Sequence, residues 1–147
     1  MPKVTVKLSG FDGMGRDLKK LSGADFMDAL EAGARVIQAH TQENIRTNLN
    51  KHPTGFLANS VDVKREGKTI LVGVFGVVYA KVQEFGGLIL ARAKPFLAFQ
   101  IDGKWIFTKK VVLPARPYLR PAIDSNLSAI KQAIIDAARG IMQGKLK

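Results

Sequence analysis

The sequence predicts an α+β protein, a mainly antiparallel sheet packed against one long helix in the N-terminal half and a second helix at the C-terminus. Three observations lead there. Apolar residues recur at three- and four-residue steps from Phe26 to Leu49, the period of one helix face. Alternating or wholly apolar short runs fill residues 61–113, one of them interrupted by Asp102-Gly103, which is the pattern of strands and hairpins. Pro114, Pro117 and Pro121 then punctuate the passage into a second helical pattern. A chain of 147 residues fits one domain spanning 1–147, long enough to bury a core.

Val4, Val6 and Leu8 alternate with Thr5 and Lys7 and predict a first strand ending at Ser9-Gly10. Phe11–Arg16 carries closely spaced glycines but neither the Lys-Ser/Thr end of a phosphate loop nor dinucleotide spacing, so it reads as a turn. From Ser22 the pattern is helical, with Phe26, Leu30, Ala34, Ile37, Thr41, Ile45 and Leu49 on one face; such a helix runs about 36 Å. Asp25, Asp28 and Glu31 stand early and Arg46 late, as the helix dipole prefers. His40 lies off the apolar stripe and His52 in the following loop, neither at metal-ligand spacing from a second ligand, so both read as solvated.

Pro53 and Gly55 mark a loop. Val61 and Val63 then alternate with polar residues up to a turn at Glu66-Gly67, and the return run from Thr69 to Tyr79 is nearly all apolar, as expected of a strand covered on both faces. Lys81–Gly87 is expected to turn the chain. Residues 88–94 follow neither period, so about 86–95 reads as a mobile loop carrying Arg92 and Lys94 into solvent. Asp102-Gly103 between strand formers predicts a type I′ hairpin pairing Ile101 with Lys104, Gln100 with Trp105, Phe99 with Ile106 and Ala98 with Phe107. Leu97, Phe99 and Ile106 fall on one face, Ala98, Trp105 and Phe107 on the other. A second apolar face requires another sheet, the second helix or a neighbouring subunit.

Each proline of Val111–Ala122 fixes its own φ and disfavours the α region for the residue before it, so Leu113, Arg116 and Arg120 are expected to be extended and Pro121 to open a helix. Arg116 and Arg120 stand where the positive helix N-terminus disfavours each by roughly 0.3–1 kcal/mol. They ask for a carboxylate or an outside partner. Ile123, Leu127, Ile130, Ile134, Ala138 and Ile141 predict the final helix, with a frayed tail at 144–147.

Net charge is the strong compositional signal. The chain carries +11 at pH 7, and all of it lies beyond Glu43. That asymmetry points to a polyanion or an acidic protein surface, or to a solvated basic face that maintains solubility. With no cysteine, two isolated histidines and scattered carboxylates, no catalytic constellation emerges. No enzyme activity, metal or cofactor is expected. No apolar run approaches the length of a membrane span and the N-terminus has no signal-like apolar region, so the expectation is a cytosolic chain with no membrane partner.

Three motifs carry a resemblance. Thr54-Gly55-x-Leu57-x-x-Ser60-Val61 follows the long helix, Tyr79-Ala80-x-x-x-Glu84-Phe85-Gly86-Gly87 comes next, and Pro114-Ala115-Arg116-Pro117-Tyr118-Leu119-Arg120-Pro121-Ala122 opens the last helix. In that order they resemble the tail-completion, or head-to-tail joining, proteins of long-tailed bacteriophages, a group overlapping the virion morphogenesis proteins. The likeness covers about Phe26 to the C-terminus; the sparse, basic stretch Leu88–Lys94 departs from many relatives. It implies a structural, non-enzymatic virion protein that forms a homo-oligomeric ring, six subunits being the expected number, at the neck between tail tube and head connector. The implied partners are the tail tube or tail terminator protein, the connector or portal adaptor, and DNA in the channel. The implied location is the host cytoplasm during assembly and then the virion. On this reading Glu84 pairs with Arg116 or Arg120, within the subunit or across the ring seam. Phe85 and Trp105 are further interface candidates, and Arg92, Lys94, Lys109 and Lys110 form the basic surface. The alternative from the charge alone is a small DNA-binding accessory protein that contacts phosphates without reading sequence.

Overall fold

The computed structural model describes residues 21–48 and 55–145. The predicted strand Val4–Leu8, the turn at 11–16, Leu49, Thr54 and His52 lie outside the described residues. Helix α1 spans Gly23–Asn48. Ser22 and Asp25 start it with a reciprocal box: the Ser22 N–H donates to the Asp25 carboxylate at 3.0 Å and the Asp25 N–H to the Ser22 hydroxyl at 3.3 Å, satisfying donors that the first turn leaves without intrahelical acceptors. Ala34, Ile37, Thr41 and Ile45 are buried as the period predicts, and Met27, Ala29 and Gly33 join them. Phe26 is exposed instead. The buried Thr41 hydroxyl is satisfied by the Ile37 carbonyl at 2.7 Å, the usual way a helix accommodates an inward threonine.

A short helix, α2 (Phe56–Asn59), leads into strands β1 (Val61–Glu66) and β2 (Thr69–Val74). These pair antiparallel, Val61 with Val74 through Glu66 with Thr69. Gln38 donates to the Val61 carbonyl at 2.9 Å and Arg65 reaches Asp28 and Glu31, so both ends of β1 are tied to α1. Helix α3 (Ala80–Phe85) follows. Next come β3 (Gly87–Leu90), β4 (Leu97–Ile101), β5 (Lys104–Thr108) and β6 (Lys110–Leu113). Helices α4 (Leu119–Asp124) and α5 (Leu127–Lys145) complete the chain.

The α+β class holds, and among the described residues every strand pair is antiparallel, but the strands form three two-stranded ribbons, β1–β2, β3–β6 and β4–β5, rather than one sheet. Only β1–β2 lies on the helices. The core gathers α1, α2, β1, α4 and α5 around Ile37, Val61, Leu119, Ile130 and Ile134, with Val77 and Ala80. The β4–β5 register is the predicted one, pair for pair, and Asp102 and Gly103 take positive φ of 50° and 77°, as a type I′ turn requires.

Four expectations change. Residues 87–90 are a strand paired with β6, Leu88 opposite Val112, and not a loop; the partner lies more than twenty residues away, so local periodicity carried no sign of it. Lys81–Phe85 is helical rather than a simple turn; α5 runs to Lys145, and the rest of the tail expected to fray lies outside the described residues. The last helix is broken at Ser125-Asn126, where Asn126 turns back to bond the Ala122 carbonyl at 3.0 Å, so Ile123 and Leu127 belong to different helices. Arg120 is helical despite preceding Pro121, for a reason given below.

Gly33 sits where α1 crosses α5. A Cβ built there lies 2.6 Å and 2.8 Å from the Cγ1 and Cδ1 of Ile134, itself 2% exposed. Gly33→Val should therefore lower stability by about 2 kcal/mol through overpacking, outweighing the helix propensity it gains; thermal or denaturant unfolding measures this.

Candidate functional site: a carboxylate-capped joint and its outer ribbons

Two of the three motifs meet at one point. Helix α3 is only six residues long, yet it presents three acceptors to the proline-arginine stretch. The Ala80 carbonyl accepts from the Tyr118 hydroxyl at 2.9 Å, the Gln83 carbonyl from the Arg116 N–H at 2.8 Å, and the Glu84 carboxylate from three successive backbone N–H groups. Those are Tyr118 at 2.8 Å, Leu119 at 3.0 Å and Arg120 at 3.1 Å. They are the donors left over at the start of α4, because the first intrahelical bond comes from Ala122. The next residue, Pro121, has no N–H. One carboxylate and one proline thus settle the whole N-terminus of α4.

This geometry explains the helical Arg120. Holding three N–H groups on one carboxylate forces them to point the same way, which is the first turn of a helix, and this outweighs the steric preference of a residue before proline. It also corrects the expected clamp. Within the chain, Glu84 is 6% exposed and bonds backbone N–H groups, not a guanidinium. The Arg120 side chain reaches Asp124 at 3.6 Å on the surface, and the Arg116 side chain is exposed. The charge demand read from two arginines at a helix N-terminus is met by Glu84 through the main chain.

Gly86 lets the chain leave this joint. Its φ of 70° and ψ of 178° lie in a region open essentially to glycine alone. A Cβ there would fall 2.7 Å from the Ala115 nitrogen and 2.9 Å from the Leu113 oxygen. Asn44 of α1 completes the joint by donating to the Tyr118 carbonyl at 2.9 Å. Nothing in the sequence singles out Tyr118, Asn44 or Gly86 for these roles, although the three closely spaced prolines at 114, 117 and 121 mark the neighbourhood of the first.

From the joint, two ribbons extend outward. No residue from 86 to 117 is buried. Leu97, Phe99 and Ile106, one predicted face of the hairpin, are half-buried, while the opposite face leaves Trp105 62% and Phe107 65% exposed, their rings stacked 6.3 Å apart. On β3–β6, the paired Leu88 and Val112 are 55% and 73% exposed. Phe85, Phe96 and Ile101 are exposed as well. Arg92, Lys94, Lys109 and Lys110 are all exposed, and an Ala91 N–H to Lys109 carbonyl bond of 3.0 Å places Arg92 and Lys109-Lys110 at one end of the β3–β6 ribbon. Among the described residues there is no cluster of metal-ligating side chains and no helix long and apolar enough to cross a membrane.

Compared with protein-family models, curated proteins and solved structures, the chain matches none of them.

The joint sets two expectations. Glu84→Gln should lower stability by about 2 kcal/mol and Glu84→Ala by more, since buried donors lose their acceptor, while Arg116→Ala and Arg120→Ala should stay within about 0.5 kcal/mol; denaturant titration distinguishes this pattern from an arginine clamp. Burial pushes the Tyr118 phenol up to about 12, and the nearby Glu84 charge adds to the shift. The fold favours neutral Tyr118, so its contribution is complete below the ordinary tyrosine value of about 10 and is lost as pH rises toward about 12. Stability measured across that window should fall more steeply for the wild type than for Tyr118→Phe.

Proposed function

We propose that this chain is a structural, non-enzymatic subunit of a bacteriophage head-tail junction, a tail-completion protein assembling as a ring between tail tube and head connector. The observation that supports this reading best is the pair of outer ribbons. An isolated two-stranded ribbon is marginal in water, and large exposed apolar patches mark interaction sites. Here two ribbons with no buried residue present Trp105, Phe107, Leu88 and Val112 outward, edged by Arg92, Lys94, Lys109 and Lys110. They are anchored to the core where two motifs of the resemblance meet. A ring subunit needs such surfaces, since a heterologous interface joins each copy to the next, and a basic rim suits acidic connector or tail surfaces or the DNA passing through.

A second reading, a DNA-binding accessory protein, is favoured by the exposed cations of the ribbons and the net charge of +11. It requires affinity for random duplex DNA that falls steeply with salt. No binding at low salt ends it.

Antibody labelling of particles carrying this chain tests the first reading. Label confined to the neck is the expected result; label over the capsid shell, or none on purified particles, contradicts it.

A further inference from the structure

The two outer ribbons join end to end. Lys109 alone separates β5 from β6, and the Thr108 hydroxyl, donating to the Lys110 carbonyl at 2.9 Å, fixes that step. On β5 the exposed large side chains are Trp105 and Phe107; on β6 Val112 is exposed, with Leu88 paired to it. From Trp105 to Val112 is at most about 23 Å of strand. The exposed Lys109 and Lys110 lie between these apolar pairs along the chain, and the Ala91 N–H to Lys109 carbonyl bond brings Arg92 to the same place. The order along the ribbons is therefore apolar, basic, apolar.

That order favours a protein partner over nucleic acid. Phosphates recur along a nucleic-acid strand, so a face that tracks one needs cations along its length. Leu88 and Val112 can neither pair with a phosphate nor stack on a base. Protein interfaces, in contrast, gather Trp, Phe and aliphatic side chains into dry patches and leave charge beside them. Charge also decides against a second copy as that partner. Residues 86–117 carry six cations and one carboxylate, Asp102, and the rest of the chain carries 17 Lys and Arg against 11 Asp and Glu, so both portions are positive. Several of those carboxylates are already engaged: Glu84 on backbone N–H groups, Asp28 and Glu31 with Arg65, and Asp124 with Arg120. Like charges brought together across an interface repel.

We propose that the outer ribbons dock on a different protein, one whose surface sets carboxylates between two apolar patches. The inference deepens the reading above and rests on it only in treating the ribbons as a contact surface.

Two measurements test it. Trp105 is the only tryptophan of the chain, so its fluorescence reports this face alone. In the isolated full-length chain its emission should stay that of an exposed indole as protein concentration rises and as random duplex DNA is added at low salt. A blue shift with concentration assigns the face to a second copy, and a change with DNA assigns it to nucleic acid; either overturns the proposal. Photocrosslinking from Trp105→p-benzoylphenylalanine, in the cells that make this chain, then identifies the occupant. The expected product is a crosslink to an Asp/Glu-rich peptide of another protein, its yield lowered at least about tenfold by the double variant Lys109→Glu, Lys110→Glu. Crosslinks to this chain itself, crosslinks insensitive to the charge reversal, or no protein crosslink at all overturn it. A crosslinked acidic partner that belongs to no virus particle would leave this inference standing and end the head-tail reading, whereas a chain found at the neck but crosslinked to its own copies would do the reverse.

Discussion

The fold depends on a single carboxylate. Glu84 lies on a helix too short to be stable by itself, and it is held there because its two oxygens answer three backbone donors at the start of another helix. The same contact gives α4 its starting point, bends the chain at Tyr118 and fixes where the ribbons leave the core. Backbone donors suit this role better than arginine side chains. They are already ordered by the helix they begin, so the bond costs little side-chain entropy, and at a helix N-terminus they meet the carboxylate with the dipole aligned. An exposed guanidinium at the same place would have been screened by water and salt.

The molecule is thereby divided by function of its surfaces. Among the described residues, the five helices and β1 hold nearly all the buried apolar side chains, with Val77 and Tyr118 between elements and β2 adding half-buried ones. Residues 86–117 hold none, yet they keep regular strand pairing and carry six of the chain's cations against the lone Asp102. On the proposed reading, the half that exposes aromatic and basic side chains would meet partners, and attachment through Glu84, Gly86 and Tyr118 would orient that contact.

Local signals were legible and distant ones were not. The period of α1, the Asp-Gly hairpin down to each cross-strand pair, and the proline joint were readable because each depends on residues within a few positions of one another. The pairing of Leu88 with Val112 and the division into three ribbons depend on contacts across more than twenty residues, and nothing in residues 88–94 signals them. The break at Ser125-Asn126 was masked by apolar spacing that continues across it. At the joint, the need for a negative partner was readable from the misplaced arginines, while Glu84 was implied for it only through the family resemblance. Its true acceptance from the main chain was not readable, since every residue but proline carries that donor and a sequence cannot show which of them lacks a partner.

A density map of the assembled particle tests the central claim most directly, that the ribbons held by Glu84 are the joining surface. The account predicts this chain at the neck with Trp105, Phe107, Leu88 and Val112 buried against neighbouring subunits or the connector, and Glu84 still on the N–H groups of 118–120. A map in which those four side chains face solvent while the helices make the contacts would contradict it.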